Sequence, residues 1–320
     1  MTPATTHDAL EESLSRVRSA MGRRIARLGE RVGDQLAGYV GRPGKMLRSR
    51  YALLLGAALG TPAEQTERAA CAVELLHNAS LLHDDCVDFA ELRRGEGTPN
   101  GLFGSTTGIL LGDLAFAEGL DEAFELSGSC ARALIDTARE MTAGELQEEF
   151  LRGSLHVSVE GYYGIAARKT AALFEWTGAA LSELSPRPHR REDPPRLGRA
   201  VGVLLQVIDD VHDFTLDRET AGKERGQDFV LGKLTLPCLL ALDDRALRPR
   251  FLALWERSPR DRAAVDAVVS LLEEGGCLAG ARKAARGLRA SMDPLLAGLP
   301  ARDAVPPLAA FLDAMLTREF

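Results

Sequence analysis

Six aspartates in two groups set the chemistry this chain could perform. The first group is His83-Asp84-Asp85-Cys86-Val87-Asp88, and the second is Gln206-Val207-Ile208-Asp209-Asp210-Val211-His212-Asp213. At about 100° per helical residue, Asp84 and Asp88 fall about 40° apart on one face, and Asp209 and Asp213 repeat that spacing. His77 lies seven residues before Asp84, and Gln206 seven before Asp213, each about 20° from its aspartate. Alone, the first group reads equally well as a solvated acidic helix end or as a metal site. However, acids at a helix C-terminus oppose its dipole, and both groups end apolar helices. If the two groups face each other, six carboxylates converge. Each like-charge pair ~4 Å apart costs about 4 kcal/mol at an effective dielectric of ~20, so a cation must offset them. Oxygen ligands without His or Cys select a hard ion, and Mg²⁺ is the natural one where phosphate oxygens complete its shell. His83 and His212 read as packing residues beside the motifs.

The basic residues point the same way. Of 39 Lys and Arg only five are Lys: Lys45, Lys169, Lys223, Lys233 and Lys283. A chain so biased toward Arg keeps Lys mainly where a compact, flexible point charge is needed. Lys45 and Arg48 share a helical face in GKMLR. Arg93 and Arg94 follow the first acidic group, Lys169-Thr170 lies in ARKTAALF, and Lys223 and Lys233 follow the second group. Each alone reads as a surface charge. Together they suggest two anion sites, one beside the carboxylates and one purely basic, and hence two phosphorylated substrates. GxxxxGK[ST], HExxH and GxSxG are absent from the sequence, which sets aside P-loop, zincin and nucleophile-elbow chemistry.

These groups need helices to position them. Apolar residues make up 45% of the 320 positions and aromatics only 5%. A core dominated by Ala and Leu favours helices over a β-sandwich. The pattern predicts helices over 8–40, 45–59, 63–89, 105–127, 129–152, 156–183, 196–217, 232–243, 247–257, 261–274, 277–295 and 301–317. Thr61-Pro62-Ala63-Glu64 reads as a helix start with Thr as N-cap. RRGEGTPNG reads as a loop and SPRPHRREDPP (185–195) as a surface connection, with no strand expected. The expected class is all-α, one domain over 1–320. No apolar run approaches the ~18 residues of a membrane span, and the polar, acidic first residues do not read as a signal peptide. Five scattered cysteines without a CxxC disfavour disulfides and zinc and fit a cytoplasmic setting. A net charge of −7 without a basic tract disfavours nucleic acid as a partner.

With these elements in this order, the chain resembles the trans-isoprenyl diphosphate synthase (polyprenyl synthetase) family over nearly its whole length. VELLHNASLLHDDCVDFAELRRGEGTPNGLFG is similar to the family's first aspartate-rich region. LLQVIDDVHDFTLD followed by GKERGQDFVLGKLTLP is similar to the second and its Lys-bearing tail. GKMLR stands at the place of GGKRLRP, and KTAALF matches the Lys-Thr helix. The resemblance implies an all-α isoprenoid synthase fold, a helical bundle around a central cavity, and a homodimer. It implies that Asp84, Asp88 and Asp209 bind about three Mg²⁺ that hold an allylic diphosphate. Asp85, Asp210 and Asp213 would add ligands or support them. Arg93, Lys169, Lys223 and Lys233 would hold the same diphosphate. Lys45, Arg48, His77 and Arg94 would hold isopentenyl diphosphate in a metal-free pocket. Thr170 and Gln206, beside Lys169, would offer oxygen dipoles to a developing carbocation.

The chain departs from that pattern at Pro43, Met46 and Ser49, where GGKRLRP has Gly, Arg and Pro, and at Leu205, where Phe is usual before Gln206. Met46 removes one cation from the second-substrate pocket. Ala79 and Ser80, one turn below the aspartates, would form the first wall of a product tunnel and carry no aromatic plug. A tail gains ~0.8 kcal/mol per buried CH₂, which favours a product of about C30 to C40. A floor at Phe116 or Phe124 would reduce it to C20. The alternatives are a class I terpene cyclase, a non-catalytic partner subunit, or prenyl transfer to another acceptor. A cyclase would not need Lys45, Arg48, His77 and Arg94, and a non-catalytic subunit would not need all six aspartates.

Overall fold

The structure is a computed structural model that describes residues 3–27, 29, 33–40, 44–93, 95–215, 225–257 and 262–317. The helix expected over 8–40 is two: α1 (Pro3–Ala26) and α2 (Gly33–Val40). Two glycines make the break. Gly29 has φ +97°, and a Cβ on Gly33 would stand 2.6 Å from the Ala26 carbonyl oxygen, so only glycine lets the chain fold back so closely.

α3 (Leu47–Leu59) leads through Gly60, at φ +71°, into α4 (Ala63–Val87). α4 is buried on most sides, as its all-round apolar pattern requires. Its expected Thr61 cap is not formed. Pro62 takes the N-cap position, and the Thr61 hydroxyl donates instead to the Leu181 carbonyl, 3.0 Å away. That bond satisfies a buried acceptor of another helix.

After Asp88 the chain turns at Phe89 (φ +53°). The expected loop contains a two-stranded antiparallel hairpin, β1 (Leu92–Arg93) with β2 (Glu96–Gly97), and then the short α5 (Pro99–Phe103). Thr98 caps α5 by accepting from the Gly101 N–H and donates its hydroxyl to the Ala90 carbonyl. Strands of two residues leave no alternation to read from sequence.

α6 (Ser105–Leu126) runs antiparallel along α4 on a seam of small residues. A Cβ on Gly108 would meet Cys86 Sγ at 2.6 Å, one on Gly119 would meet Leu76 Cδ1 at 2.6 Å, and one on Gly112 would collide with the His83 ring. His83 therefore packs against α6, with Nε2 3.2 Å from the Ile109 carbonyl oxygen. α7 (Gly128–Phe150) follows. The helix expected over 156–183 is α8 (Val159–Ala166) and α9 (Ala172–Leu184), joined by a π-helical turn at Ala167–Ala171 that carries Lys169 and Thr170. α10 (Asp193–Thr215) lies against α9 through glycines. A Cβ on Gly202 would collide with Ala171, and one on Gly198 with the Phe174 carbonyl. This close approach brings the π turn beside Gln206.

The rest of the bundle comprises α11 (Gln227–Val230), α12 (Leu236–Asp243), α13 (Arg248–Trp255), α14 (Arg262–Glu274), α15 (Cys277–Ser291), α16 (Asp293–Ala297) and α17 (Val305–Thr317). The architecture is an all-α bundle around the buried α4. No helix among the described residues is long and apolar enough to cross a membrane. All five cysteines are buried and unpaired. Phe124 is 66% exposed, so it is no floor within this chain, whereas Phe116 packs against the main core.

α1 is held by a buried ionic knot. Arg24 gives Nε to Glu122 at 2.7 Å, and Nη1 to Glu118 at 2.6 Å and to Asp121 at 2.7 Å, all on α6. Arg24 is 8% exposed and Glu122 5%. Removing one partner of a buried ion pair leaves the other uncompensated. Arg24→Met is expected to lower the unfolding free energy by about 3–5 kcal/mol, read from urea denaturation. An unchanged midpoint would contradict it.

Candidate active site

The six aspartates divide by burial. Asp85, Asp210 and Asp213 are 3%, 1% and 1% exposed and act as internal acceptors. Asp85 Oδ1 takes Arg93 Nη2 at 2.7 Å and Nε at 2.9 Å, fixing the hairpin to the end of α4. Asp210 takes Gln206 Nε2 at 2.8 Å and the Leu236 N–H at 3.2 Å. Asp213 takes the Asp228 N–H at 3.0 Å. In contrast, Asp84 and Asp209 are half-buried and Asp88 is exposed, with Arg152 Nη2 3.9 Å from Asp88 Oδ1.

Burial pushes the Asp84 carboxyl up to about 6. Glu145 and Asp88 add to the shift, against Lys169 and Arg93. Burial also pushes Asp210 up to about 8, opposed by Tyr162 and Gln206. The Tyr162 hydroxyl stands close enough to Asp210 to interact electrostatically, but it makes no hydrogen bond of good geometry. In both motifs, therefore, removal from water is the main cost of an ionised carboxylate.

Lys169 lies between the motifs. Its Nζ is 2.7 Å from both Glu145 Oε2 and Glu148 Oε2 on α7, and Lys233 Nζ is 2.8 Å from the same Glu148 oxygen. Lys169 also acts electrostatically on Asp84. The next residue, Thr170, donates its hydroxyl to Gln206 Oε1 at 2.7 Å, and Gln206 donates to Asp210. One chain of contacts thus runs from the first motif through Lys169 to the second. A cavity of about 130 Å³ opens there, lined by Glu148, Tyr162, Lys169, Gln206, Asp210 and Lys233 among others. Glu145 and Glu148 were not among the residues singled out from sequence. Their spacing of three on a helix beside the scarce lysines is the signal that would have found them.

The second basic group sits at the start of α3. Lys45 is exposed. The Arg48 guanidinium lies 5.4 Å from the Phe174 ring centroid, within reach of Glu74 and Asp209, and its buried Nε donates no hydrogen bond. His77 is half-buried on α4. Ser49 points inward. Its N–H (3.2 Å) and hydroxyl (2.8 Å) both donate to Glu74 Oε2, which a proline there could not do in full. Met46 is 6% exposed, and Arg18 of α1 brings Nη2 to 3.4 Å from its sulfur. A guanidinium from α1 therefore stands beside Met46. Arg94, Lys223 and Pro43 lie outside the described residues.

Of the two wall residues, Ala79 is 1% exposed. It shares the α4 face on which Leu76 and His83 meet Gly119 and Gly112. Ser80 is half-buried and lies about 40° from Asp84.

The donor set, aspartate oxygens without His or Cys, is one that suits a hard divalent ion. Among the described residues no three Asp, Glu, His or Cys side chains lie close enough together to hold one ion. Because Asp84 binds its proton more tightly folded than unfolded, its contribution favours the fold at low pH and is lost between about 3.8 and 6. The melting temperature of Asp84→Asn relative to wild type, both metal-free, is expected to rise as pH increases from 4 to 7. A constant difference would contradict the burial assigned to Asp84.

Residues 30–272 match the family model for polyprenyl synthetase. An all-trans-nonaprenyl-diphosphate synthase (geranyl-diphosphate specific) from Rhodobacter capsulatus is 30% identical over 237 residues, 73% of each chain. An octaprenyl diphosphate synthase from Haemophilus influenzae is 30% identical over 72% of this chain and 71% of its own. The solved polyprenyl synthase from Caulobacter crescentus, complexed with calcium and isoprenyl diphosphate, superposes with a TM-score of 0.86 at 28% identity. That match covers 98% of this chain and 97% of the other. With its family signature spanning most of its length and its fold matched throughout, this chain belongs to the polyprenyl synthetase family and is a trans-polyprenyl diphosphate synthase, a chain-elongating prenyltransferase.

Proposed function

We propose that the whole chain is one catalytic unit that condenses isopentenyl diphosphate with an allylic diphosphate, giving a product of about C30 to C40. The observation that carries this reading is the pair of chemically different anion seats. Lys169 and Lys233 line one cavity with Asp210, while Lys45 lies just before α3 and Arg48 in its first turn. A cyclase needs only the first.

Asp84, Asp88 and Asp209, the three less buried aspartates, would hold Mg²⁺, about three ions in all. When bound, Mg²⁺ would neutralise charge on the leaving diphosphate. Lys169, Lys233 and Arg93, with Lys223, would bind that diphosphate and stabilise the charge that develops as the allylic C–O bond breaks. Thr170 and Gln206, hydrogen-bonded to each other beside the cavity, would offer oxygen dipoles to the developing cation. Lys45, Arg48, His77 and Arg94 would hold isopentenyl diphosphate so that its double bond attacks the cation and forms the new C–C bond. A proton then leaves to the departing pyrophosphate, restoring a double bond. Arg18 would support the second seat beside Met46. The tail would run down α4 past Ser80 and Ala79 toward Phe116.

The exposed Leu102, Phe103, Ile109, Leu110 and Phe124 on α5 and α6 offer the apolar face a homodimer would cover. The buried, unpaired cysteines suit a cytoplasmic enzyme.

Incubation with Mg²⁺, isopentenyl diphosphate and each of dimethylallyl, geranyl, farnesyl and geranylgeranyl diphosphate should give lengthened products. Release of pyrophosphate without elongation would contradict the reading. Lys169→Arg should lose most activity, because a planar guanidinium does not replace a compact ammonium held between two glutamates. A near-normal rate would contradict this. Ser80→Phe should shorten the product while turnover continues, and an unchanged product length would place the tail elsewhere.

A further inference from the structure

Glu148 of α7 bridges two lysines from distant segments. A single carboxylate oxygen, Oε2, lies 2.7 Å from Lys169 Nζ and 2.8 Å from Lys233 Nζ. These are charge-assisted distances. The side chains of Lys169, Lys233 and Glu148 are 26%, 17% and 22% exposed, so solvent screens them only in part. Glu145 contacts Lys169 alone of the two lysines, at 2.7 Å. Burial raises the Glu148 carboxyl, but Lys169 and Lys233 outweigh that and hold it below the usual carboxylate range, so it is ionised at neutral pH. The two lysines are thus bridged by an anion built into α7, at the mouth of the cavity that also reaches Gln206 and Asp210.

We propose that Glu148 is the resident anion of the Lys169–Lys233 seat, displaced when a diphosphate enters and returning as pyrophosphate leaves, so that it sets how tightly the enzyme holds that product. A carboxylate tethered to the same helix bundle competes at high effective concentration. Any incoming diphosphate must replace two charge-assisted contacts before it gains its own. Glutamine keeps the length and one acceptor but removes the charge. Without the carboxylate, the two ammonium groups are left facing each other, and an added anion gains more by entering. The inference rests on the reading that this seat receives a diphosphate.

The test is calorimetric titration of inorganic pyrophosphate into wild type and Glu148→Gln in metal-free buffer with a chelator, paired with thermal melting. Glu148→Gln is expected to bind pyrophosphate about tenfold tighter. It should melt lower than wild type when empty and gain more from added pyrophosphate. Glu145→Gln should change pyrophosphate affinity far less. Glu148→Asp keeps the charge but is too short to bridge both lysines, and should fall between wild type and Glu148→Gln. In the elongation assay, Glu148→Gln should be inhibited at about tenfold lower pyrophosphate. Equal or weaker pyrophosphate binding by Glu148→Gln, in a protein whose wild type elongates isopentenyl diphosphate, overturns the inference alone. A wild type that fails to elongate, with Glu148→Gln still binding more tightly, overturns the functional reading and leaves the anion seat standing.

Discussion

Like charges crowded at the ends of two buried helices must be answered within a few ångströms, and most of the site follows from how this is done. Three aspartates are answered from within the protein. Asp85 has Arg93, Asp210 has Gln206 and a backbone N–H, and Asp213 has another backbone N–H. Their role is to fix the hairpin, the π turn and the start of α12 relative to the motifs. The carboxyl of Asp84 is raised first by its burial, with Glu145 and Asp88 adding to it. A partly buried carboxylate of this kind is poised for a divalent ion and an anionic substrate arriving together.

Glycine placement transmits that arrangement to the backbone. Gly108, Gly112 and Gly119 let α6 close on α4, and Gly198 and Gly202 let α10 close on α9 and the π turn. Because α9 and α10 approach so closely, Thr170 reaches Gln206 with a short side chain, and Lys169 is delivered to α7. π-helical turns recur at functional sites. This one sits where Lys169 and Thr170 must point in directions a regular helix would not give them.

Much of this was legible from sequence. The all-α pattern gave the fold class, and the aspartate spacing with the scarcity of lysine pointed to Asp210, Lys169 and Lys233, which line one cavity. The division of the aspartates into buried acceptors and less buried groups was not legible, because i, i+4 spacing does not say which side is solvent. Ser49 and Met46 stand out as departures in sequence. Only their partners Glu74 and Arg18, 25 and 28 residues away, say what they do. Glu145 and Glu148 were not singled out, since their lysines come from distant segments. The single helix expected over 8–40 failed at Gly29 and Gly33, where a close backbone crossing overrode an otherwise helical pattern.

The account stands on the two motifs sharing divalent ions around one pyrophosphoryl group. A crystal structure with Mn²⁺ and pyrophosphate, read in anomalous difference maps, tests this directly. The predicted result is metal peaks bridging one pyrophosphate to Asp84 and Asp88 on one side and Asp209 on the other, with Glu148 turned away from Lys169 and Lys233. Metal at only one motif, or pyrophosphate bound away from both lysines, would contradict it.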